Sequence, residues 1–376
     1  MKPAINAFFF YCFIFLSPQL VLAQTDNERT RGFEVAYFTG YHFASNPVIK
    51  TGASLNGIPQ GIDISWVQYG LKKEAFSQSF GKARMALQAR IIQMNNVDTF
   101  GYCLGILPSY FVPLLNKQKF QIGMKLSYGI NFNSKQYHEQ KNFDNRAISS
   151  GVNFAFDWGI HSQIQLKENL QLNLGTGLYH VSNGSLKMPN GGINIIYGNV
   201  GLSYFPHGKN GILIQKPNYQ ISQKKLHYML NISGAYRELG YFNYITKFPV
   251  FTISNNAYLS LNKLYGIGLG LDAFYDATQV LLYASKLRIS DVAENQKYFL
   301  AIGLYNRMEL GKLFFPLGIY HYLTPMKYVK EPIYVRFGLG YQITKHLYSG
   351  LFFKGTINKK QQLQSDFMEW SLGFNL

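Results

Sequence analysis

Apolar and polar residues alternate along many segments of this chain with a period of two, the period of a β-strand with unlike faces. The clearest example is 119–132, where alternate residues are apolar and polar residues or glycine lie between them. Its apolar residues are Phe120, Ile122, Met124, Leu126, Tyr128, Ile130 and Phe132. In a membrane barrel the apolar face contacts lipid and the polar face lines the lumen. Four cations are thereby assigned to the lumen, namely Lys82, Arg84, Arg90 and Lys125.

The same alternation predicts about sixteen strands, with twelve to sixteen possible because strand ends are uncertain by ~2–4 residues. The predicted strands are 32–44, 58–72, 80–93, 99–113, 118–132, 148–166, 168–182, 193–206, 225–238, 247–261, 264–276, 296–310, 312–323, 332–344, 346–357 and 366–376. The fold class is therefore predicted to be all-β, an antiparallel transmembrane β-barrel of the outer-membrane type.

The connections alternate in length, as expected for short periplasmic turns and longer outer loops. Two connections, 73–79 and 207–224, are long for the periplasmic side. Segment 207–224 could be a boundary between two eight-stranded halves. Because the alternation continues on both sides of it, we predict a single barrel over 24–376.

Composition supports a barrel. Aromatic residues make up 16% of the chain and charged residues 15%, well below the usual quarter for soluble domains. The formal net charge of +17 indicates a polyanionic partner, which for an exported barrel is phosphorylated lipid and not nucleic acid. The histidines lack metal-ligand spacing, so no metal and no cofactor is expected.

The N-terminus predicts export. Lys2 is followed by an apolar stretch at 8–16 and by small or apolar residues before Gln24. This layout is typical of a secretory signal peptide, here 1–23, although a membrane anchor remains an alternative. Removal of Cys12 with this segment would leave Cys103 alone, so no internal disulfide is expected.

One hairpin carries residues that suggest chemistry. Counting by twos along 168–182 places His180 and Ser182 on the lipid-facing side at the outer rim, and counting along 193–206 places Asn194 on the same face. Residues two apart on a strand are ~6.5–7 Å apart, so the three side chains should meet.

A serine needs an adjacent imidazole to take its proton, and the imidazole needs a third group to orient it. Ser182, His180 and Asn194 fit these roles in that order. Asn190, or backbone N–H groups near Gly184 and Ser185, could supply an oxyanion hole. Against this, such residues are ordinary in outer loops, and His-x-Ser occurs by chance in many proteins.

The run HVSNGSLKMPNGGIN at 180–194 resembles the active-site hairpin of the lipid A 3-O-deacylases, the acyloxyacyl-hydrolase family of outer-membrane barrels. The resemblance is plausible over 33–206. It implies that His180 is the general base, Ser182 the nucleophile and Asn190 an oxyanion-hole residue. Asn183 and Lys187 would bind substrate, with Lys187 near the phosphates of lipid A.

The chain departs from the family at Asn194, where the family has glutamate. An asparagine can orient the imidazole but brings no charge to stabilise the imidazolium. The leading hypothesis is an outer-membrane enzyme, a serine ester hydrolase that removes an acyl chain from lipopolysaccharide. The alternatives are a channel or transporter with an anion-favouring lumen, and a catalytically inactive relative that binds lipid.

Overall fold

The computed structural model describes residues 30–43, 57–69, 84–117, 119–208, 224–238, 247–261, 265–278, 297–310, 312–324, 332–357 and 363–376. The predicted signal peptide and Lys82 lie outside these residues, as does most of segment 207–224. Within them no helix is long and apolar enough to cross a membrane.

The sixteen predicted strands are confirmed. They are β1 (Thr30–Phe43), β2 (Gln60–Tyr69), β3 (Arg84–Gln93), β4 (Tyr102–Lys117), β5 (Phe120–Asn133), β6 (Val152–Lys167), β7 (Leu170–Ser182), β8 (Ile193–Tyr204), β9 (Leu226–Glu238), β10 (Lys247–Ser260), β11 (Tyr265–Asp276), β12 (Tyr298–Leu310), β13 (Leu313–Tyr322), β14 (Ile333–Gln342), β15 (Leu347–Ile357) and β16 (Leu363–Asn375). A short helix α1 (Val97–Phe100) precedes β4, at a position where the sequence predicted the strand to begin.

The strands close into two barrels, and the prediction of a single barrel is therefore wrong. β1 pairs with β8 to close the first eight-stranded barrel, and β9 pairs with β16 to close the second. All pairings are antiparallel between neighbours in sequence or between the two ends of a set of eight. Alternation within each strand is the same for one large barrel and for two small ones, so it could not distinguish them. The alternative boundary near 207–224 falls where the two barrels meet along the chain.

The outward faces are those that alternation predicted. On β3 the outward Leu87 and Ile91 are exposed, whereas Arg84 and Arg90 are buried in the interior. The same holds on β8, where Ile196, Val200 and Leu202 are exposed. These apolar outward rows are the surface expected to contact lipid.

Charged pairs fill the interior of the first barrel. Arg90 is 0% exposed. It donates two hydrogen bonds to Asp63, at 2.7 and 2.8 Å, and its Nη2 lies 3.3 Å from Asp157 Oδ2. Its guanidinium also lies 4.4 Å from the Phe38 ring centroid and 4.7 Å from that of Tyr197. The buried cation is thus neutralised by two carboxylates and packed between aromatic rings.

The second barrel has its own buried cations. Arg336 pairs with Glu369 at 2.5 Å and lies 3.5 Å from Asp272. Lys354 lies 3.9 Å from the Phe274 ring centroid. Eight strands leave an interior just wide enough to be filled by side chains. The wide aqueous lumen on which the channel hypothesis depended is therefore not formed by the described strands.

We expect Arg90→Ala to destabilise the first barrel by about 3–5 kcal/mol, because it removes the cation that buried Asp63 binds and one of the two cations near Asp157, the other being Lys125 at 3.4 Å. Urea unfolding in phospholipid vesicles measures this loss. Arg31→Ala is the matched control, because Arg31 is exposed and contacts the Trp66 ring at 6.0 Å; it should cost about 1 kcal/mol at most. Equal losses in the two variants would show that the interior pairs do not stabilise the barrel.

Candidate active site

His180 lies directly opposite Asn194 in the pairing of β7 with β8, and Ser182 follows two residues later on β7. The His180 Nδ1 atom is 2.7 Å from Asn194 Oδ1, and the His180 Nε2 atom is 3.1 Å from Ser182 Oγ. The three side chains that alternation placed on one face therefore form a continuous hydrogen-bonded chain. The strand register places His180 next to Asn194, and the two-residue spacing along β7 places Ser182 on the same face.

These contacts are consistent with one tautomer of the imidazole. Asn194 Oδ1 can only accept, so Nδ1 carries the proton and donates it. Nε2 is then left with its lone pair toward the Ser182 hydroxyl, which can donate to it. This is the arrangement in which an imidazole can remove a proton from a serine.

Gly192, at the end of the loop between β7 and β8, makes room for the imidazole. It has a φ of +74°, and a Cβ there would lie 2.9 Å from the His180 Cε1 atom. Both the backbone conformation and the close approach favour glycine. The turn thus lies close against the imidazole ring of His180.

Asn190 is oriented by the backbone of the same loop. The N–H of Asn183 donates to Asn190 Oδ1 at 3.1 Å, so the amide nitrogen of Asn190 faces away from this bond. Its Nδ2 atom is buried and has no hydrogen-bond partner in the part of the chain that the structure describes. A buried donor without a partner is costly, and a donor on a residue bonded to the N–H of Asn183, which follows Ser182 in the chain, is compatible with a bound oxyanion.

Asn183 and Lys187, the predicted substrate-binding residues, differ in their surroundings. The Asn183 side chain is buried and donates to Ser149 Oγ, Ser150 Oγ and the Lys187 carbonyl at 3.2, 3.0 and 2.9 Å. This placement favours a positioning role for Asn183. Lys187 is exposed, so its ammonium group is free to meet a ligand at the rim.

Sequence reasoning missed the contribution of the loop between β5 and β6. Ser149 Oγ donates to the Lys187 carbonyl at 2.8 Å, and the carbonyls of Arg146 and Ala147 accept from the N–H groups of Gly191 and Gly192. The sequence predicted only a connection between the strands 118–132 and 148–166. Its hydrogen bonds with the loop between β7 and β8 join residues about 40 positions apart, which no local pattern reveals.

The second barrel covers part of the site, which alternation had predicted to face lipid. The carbonyl of Gly184 accepts from the Met368 N–H at 3.2 Å, and the carbonyl of Ser185 accepts from the Glu238 N–H at 3.1 Å. Ser182 is only 3% exposed. These contacts involve the carbonyls of Gly184 and Ser185 and not their N–H groups, so the oxyanion role of those N–H groups stays a prediction.

Two family profiles match the chain. Residues 61–203 match "Lipid A 3-O-deacylase (PagL)", and residues 226–376 match "Acyloxyacyl hydrolase, C-terminal domain". The chain belongs to the lipid A 3-O-deacylase family. The first match lies within the first barrel, and the second match spans the second barrel. The resemblance of the 180–194 hairpin did not extend to the C-terminal half, but this half matches a domain model of the same family. Family and fold together identify an outer-membrane β-barrel protein.

Solved structures of outer-membrane proteins are similar to the chain at low sequence identity. The outer-membrane enzyme PagL is 16% identical, with 45% of this chain and 97% of that chain covered and a TM-score of 0.34. Omp33 of Acinetobacter baumannii is 9% identical, with 93% and 99% covered and a TM-score of 0.18. No curated protein matches the chain.

We expect Gly192→Ala to displace the His180 ring and to reduce labelling of Ser182 by a fluorophosphonate at least tenfold, because an unactivated serine reacts slowly. Mass spectrometry of the labelled peptide measures this. Gly198→Ala on β8 is the control, because a Cβ there approaches only the Gly175 carbonyl, at 3.9 Å. Undiminished labelling of Gly192→Ala would show that the turn does not position the ring.

Proposed function

We propose that this chain is a lipid A deacylase in which Ser182 attacks an ester-linked acyl chain and His180 is the general base. The observation that carries the proposal is the position of the imidazole, 3.1 Å from Ser182 Oγ and 2.7 Å from Asn194 Oδ1. Family membership supports the substrate class, because the matched family is described as a lipid A 3-O-deacylase.

The reaction would proceed in two steps through an acyl-enzyme. Ser182 Oγ bonds to the ester carbonyl carbon while its proton moves to His180 Nε2. The sugar oxygen then leaves and takes that proton, so that the acyl chain stays on Ser182. A water molecule, deprotonated by His180, attacks the acyl-enzyme and releases the fatty acid, restoring the serine hydroxyl.

Two amides would assist these steps. Asn190 Nδ2, buried and without a partner among the described residues, would donate to the oxyanion, an interaction worth about 2.7–4 kcal/mol in a hydrolase. Asn194 would hold the imidazole in the productive tautomer. It cannot neutralise the imidazolium, so this chain should be slower than a relative with a carboxylate at the same position.

The location of the hairpin suits a lipid substrate. His180 and Asn194 are paired on the outward face, and the next outward pair along the same two strands is Leu178 with Ile196. An acyl chain lying along this apolar face would bring its ester to the level of the serine. The exposed Lys187 would meet a phosphate of the lipid A headgroup.

A second candidate is an inactive, lipid-binding relative. Asn194 favours it, because loss of the charge on the third member of a serine triad costs about 10⁴ in kcat in a serine protease. The rim location and the apolar outward rows would serve binding equally well. Activity measurements on two variants separate this candidate from the deacylase.

Ser182→Ala should abolish release of fatty acid from lipid A, because the variant has no nucleophile. Mass spectrometry of lipid A after incubation with the purified protein measures the loss. Ser162→Ala is the control, because Ser162 lies on the outward face of β6, near the opposite end of the strand. If Ser182→Ala released as much fatty acid as the wild type, the proposed nucleophile would be rejected.

Asn194→Glu should raise the rate of deacylation about tenfold or more, because a carboxylate both orients the imidazole and stabilises its protonated form. The same mass-spectrometric assay measures the gain, with Asn194→Gln as the uncharged control of equal length. An inactive wild type with an active Asn194→Glu variant would favour the inactive relative. No gain from glutamate would exclude Asn194 as the orienting residue.

A further inference from the structure

We infer that the outward face of the second barrel, at Phe337 and Phe353, forms one wall of the acyl-chain site and selects the length of the chain that is cut. This inference rests on the proposed deacylase function. It assigns to the second barrel a role in specificity, and to the first barrel the chemistry.

Backbone contacts hold the second barrel against the candidate site. Gly184 and Ser185, the second and third residues after Ser182, accept hydrogen bonds from Met368 and Glu238. Gly184 has a φ of +63°, and a Cβ there would lie 2.6 Å from the Met368 Cβ atom. The two backbones thus approach as closely as glycine permits, immediately beside the serine.

Aromatic rings continue this contact along the outward face of β6. Phe154 pairs with Ser182 and Phe156 with His180 in the register of β6 with β7. The ring of Phe353 lies 6.4 Å from Phe154, and the ring of Phe337 lies 6.5 Å from Phe156. Phe337 and Phe353 are stacked on each other at 5.6 Å. The second barrel therefore contacts the first barrel at the two residue pairs that contain Ser182 and His180.

Two residues further along these strands, toward the membrane centre, the outward side chains of the first barrel are apolar and exposed. Trp158 pairs with Leu178, which pairs with Ile196. Trp158 is 45% exposed and Ile196 is 54% exposed, whereas Ser182 is 3% exposed. The region covered by the second barrel therefore ends near His180, and Phe337 lies at this boundary.

An ester-linked acyl chain is the occupant that fits this edge. It is apolar, it is present in the surrounding leaflet, and its ester must reach Ser182 from the open apolar rows. A chain rising along Trp158 and Ile196 would pass Phe337 before its ester reached the serine. Rigid aromatic rings at such a point discriminate chains by fit, and one methylene in an apolar pocket is worth about 10–200-fold in kcat/KM.

The test uses the full chain in outer-membrane-like vesicles with lipid A analogues that differ only in a lauroyl or a palmitoyl ester. Phe337→Ala and Phe353→Ala remove a ring and lengthen the site, so the palmitoyl-to-lauroyl ratio of kcat/KM should rise about tenfold. Phe251→Ala is the control, because Phe251 is an outward phenylalanine of the second barrel with 58% exposure. Heat-modifiability on gels verifies that each variant is folded.

A second measurement does not depend on turnover. In the Ser182→Ala background, lipid A with a diazirine on its ester-linked chain should label peptides from β14 and β15 more strongly than a diazirine phospholipid does. Stronger labelling of β14 and β15 by lipid A than by the phospholipid supports the inference that Phe337 and Phe353 line the acyl-chain site. Labelling by lipid A confined to the first barrel, or equal to that by the phospholipid, overturns it.

The two arms separate this inference from the proposed function. An active wild type whose chain selectivity is unchanged in both phenylalanine variants contradicts the wall and leaves the deacylase intact. A wild type without deacylation contradicts the proposed function, and the labelling ratio then decides whether an acyl chain lies between the barrels. An equal rise in rate for both esters would mean that the rings only obstruct the site, which also overturns selection.

Discussion

Every backbone N–H and C=O group in the hydrocarbon layer must find a partner within the protein, because no water is available there. A sheet satisfies this requirement only when its two edges pair, as β1 does with β8 and β9 with β16. Closure after eight strands has a second consequence. The interior enclosed by the described strands is narrow and is filled by side chains such as Arg90 and Arg336, so these strands leave no room inside for a large lipid. Chemistry on a large lipid must therefore take place on an outer surface.

The candidate site shows how a barrel wall can hold polar groups in catalytic order. Antiparallel pairing sets His180 opposite Asn194, and the pleat returns Ser182 to the same face. Rigid neighbouring strands thus determine the spacing without any flexible loop. The loops add what strands cannot supply, which is the space that Gly192 leaves for the imidazole and the oriented amide of Asn190.

Two closed sheets offer each other no free edges, so they cannot associate by extending strand pairing. The contacts seen between the barrels are a loop with a strand, and aromatic rings of one outward face with those of the other. On the first barrel they involve the loop that follows Ser182 and the strand β6, which pairs with β7. The position of the second barrel therefore bears directly on how a lipid reaches the site.

The sequence by itself predicted about sixteen strands, their inward and outward faces and the shared face of His180, Ser182 and Asn194. All of these follow from a period of two and from pairing between neighbours along the chain, which are local properties. Only the tertiary structure decided that β8 returns to β1, that Asn183 is tied to Ser149 and Ser150, and that Met368 lies on Gly184. Alternation is identical for one barrel and for two, so it could not show where a sheet closes. The contact between residues 184 and 368 depends on how the outer surfaces of the two barrels fit together, which no local pattern encodes.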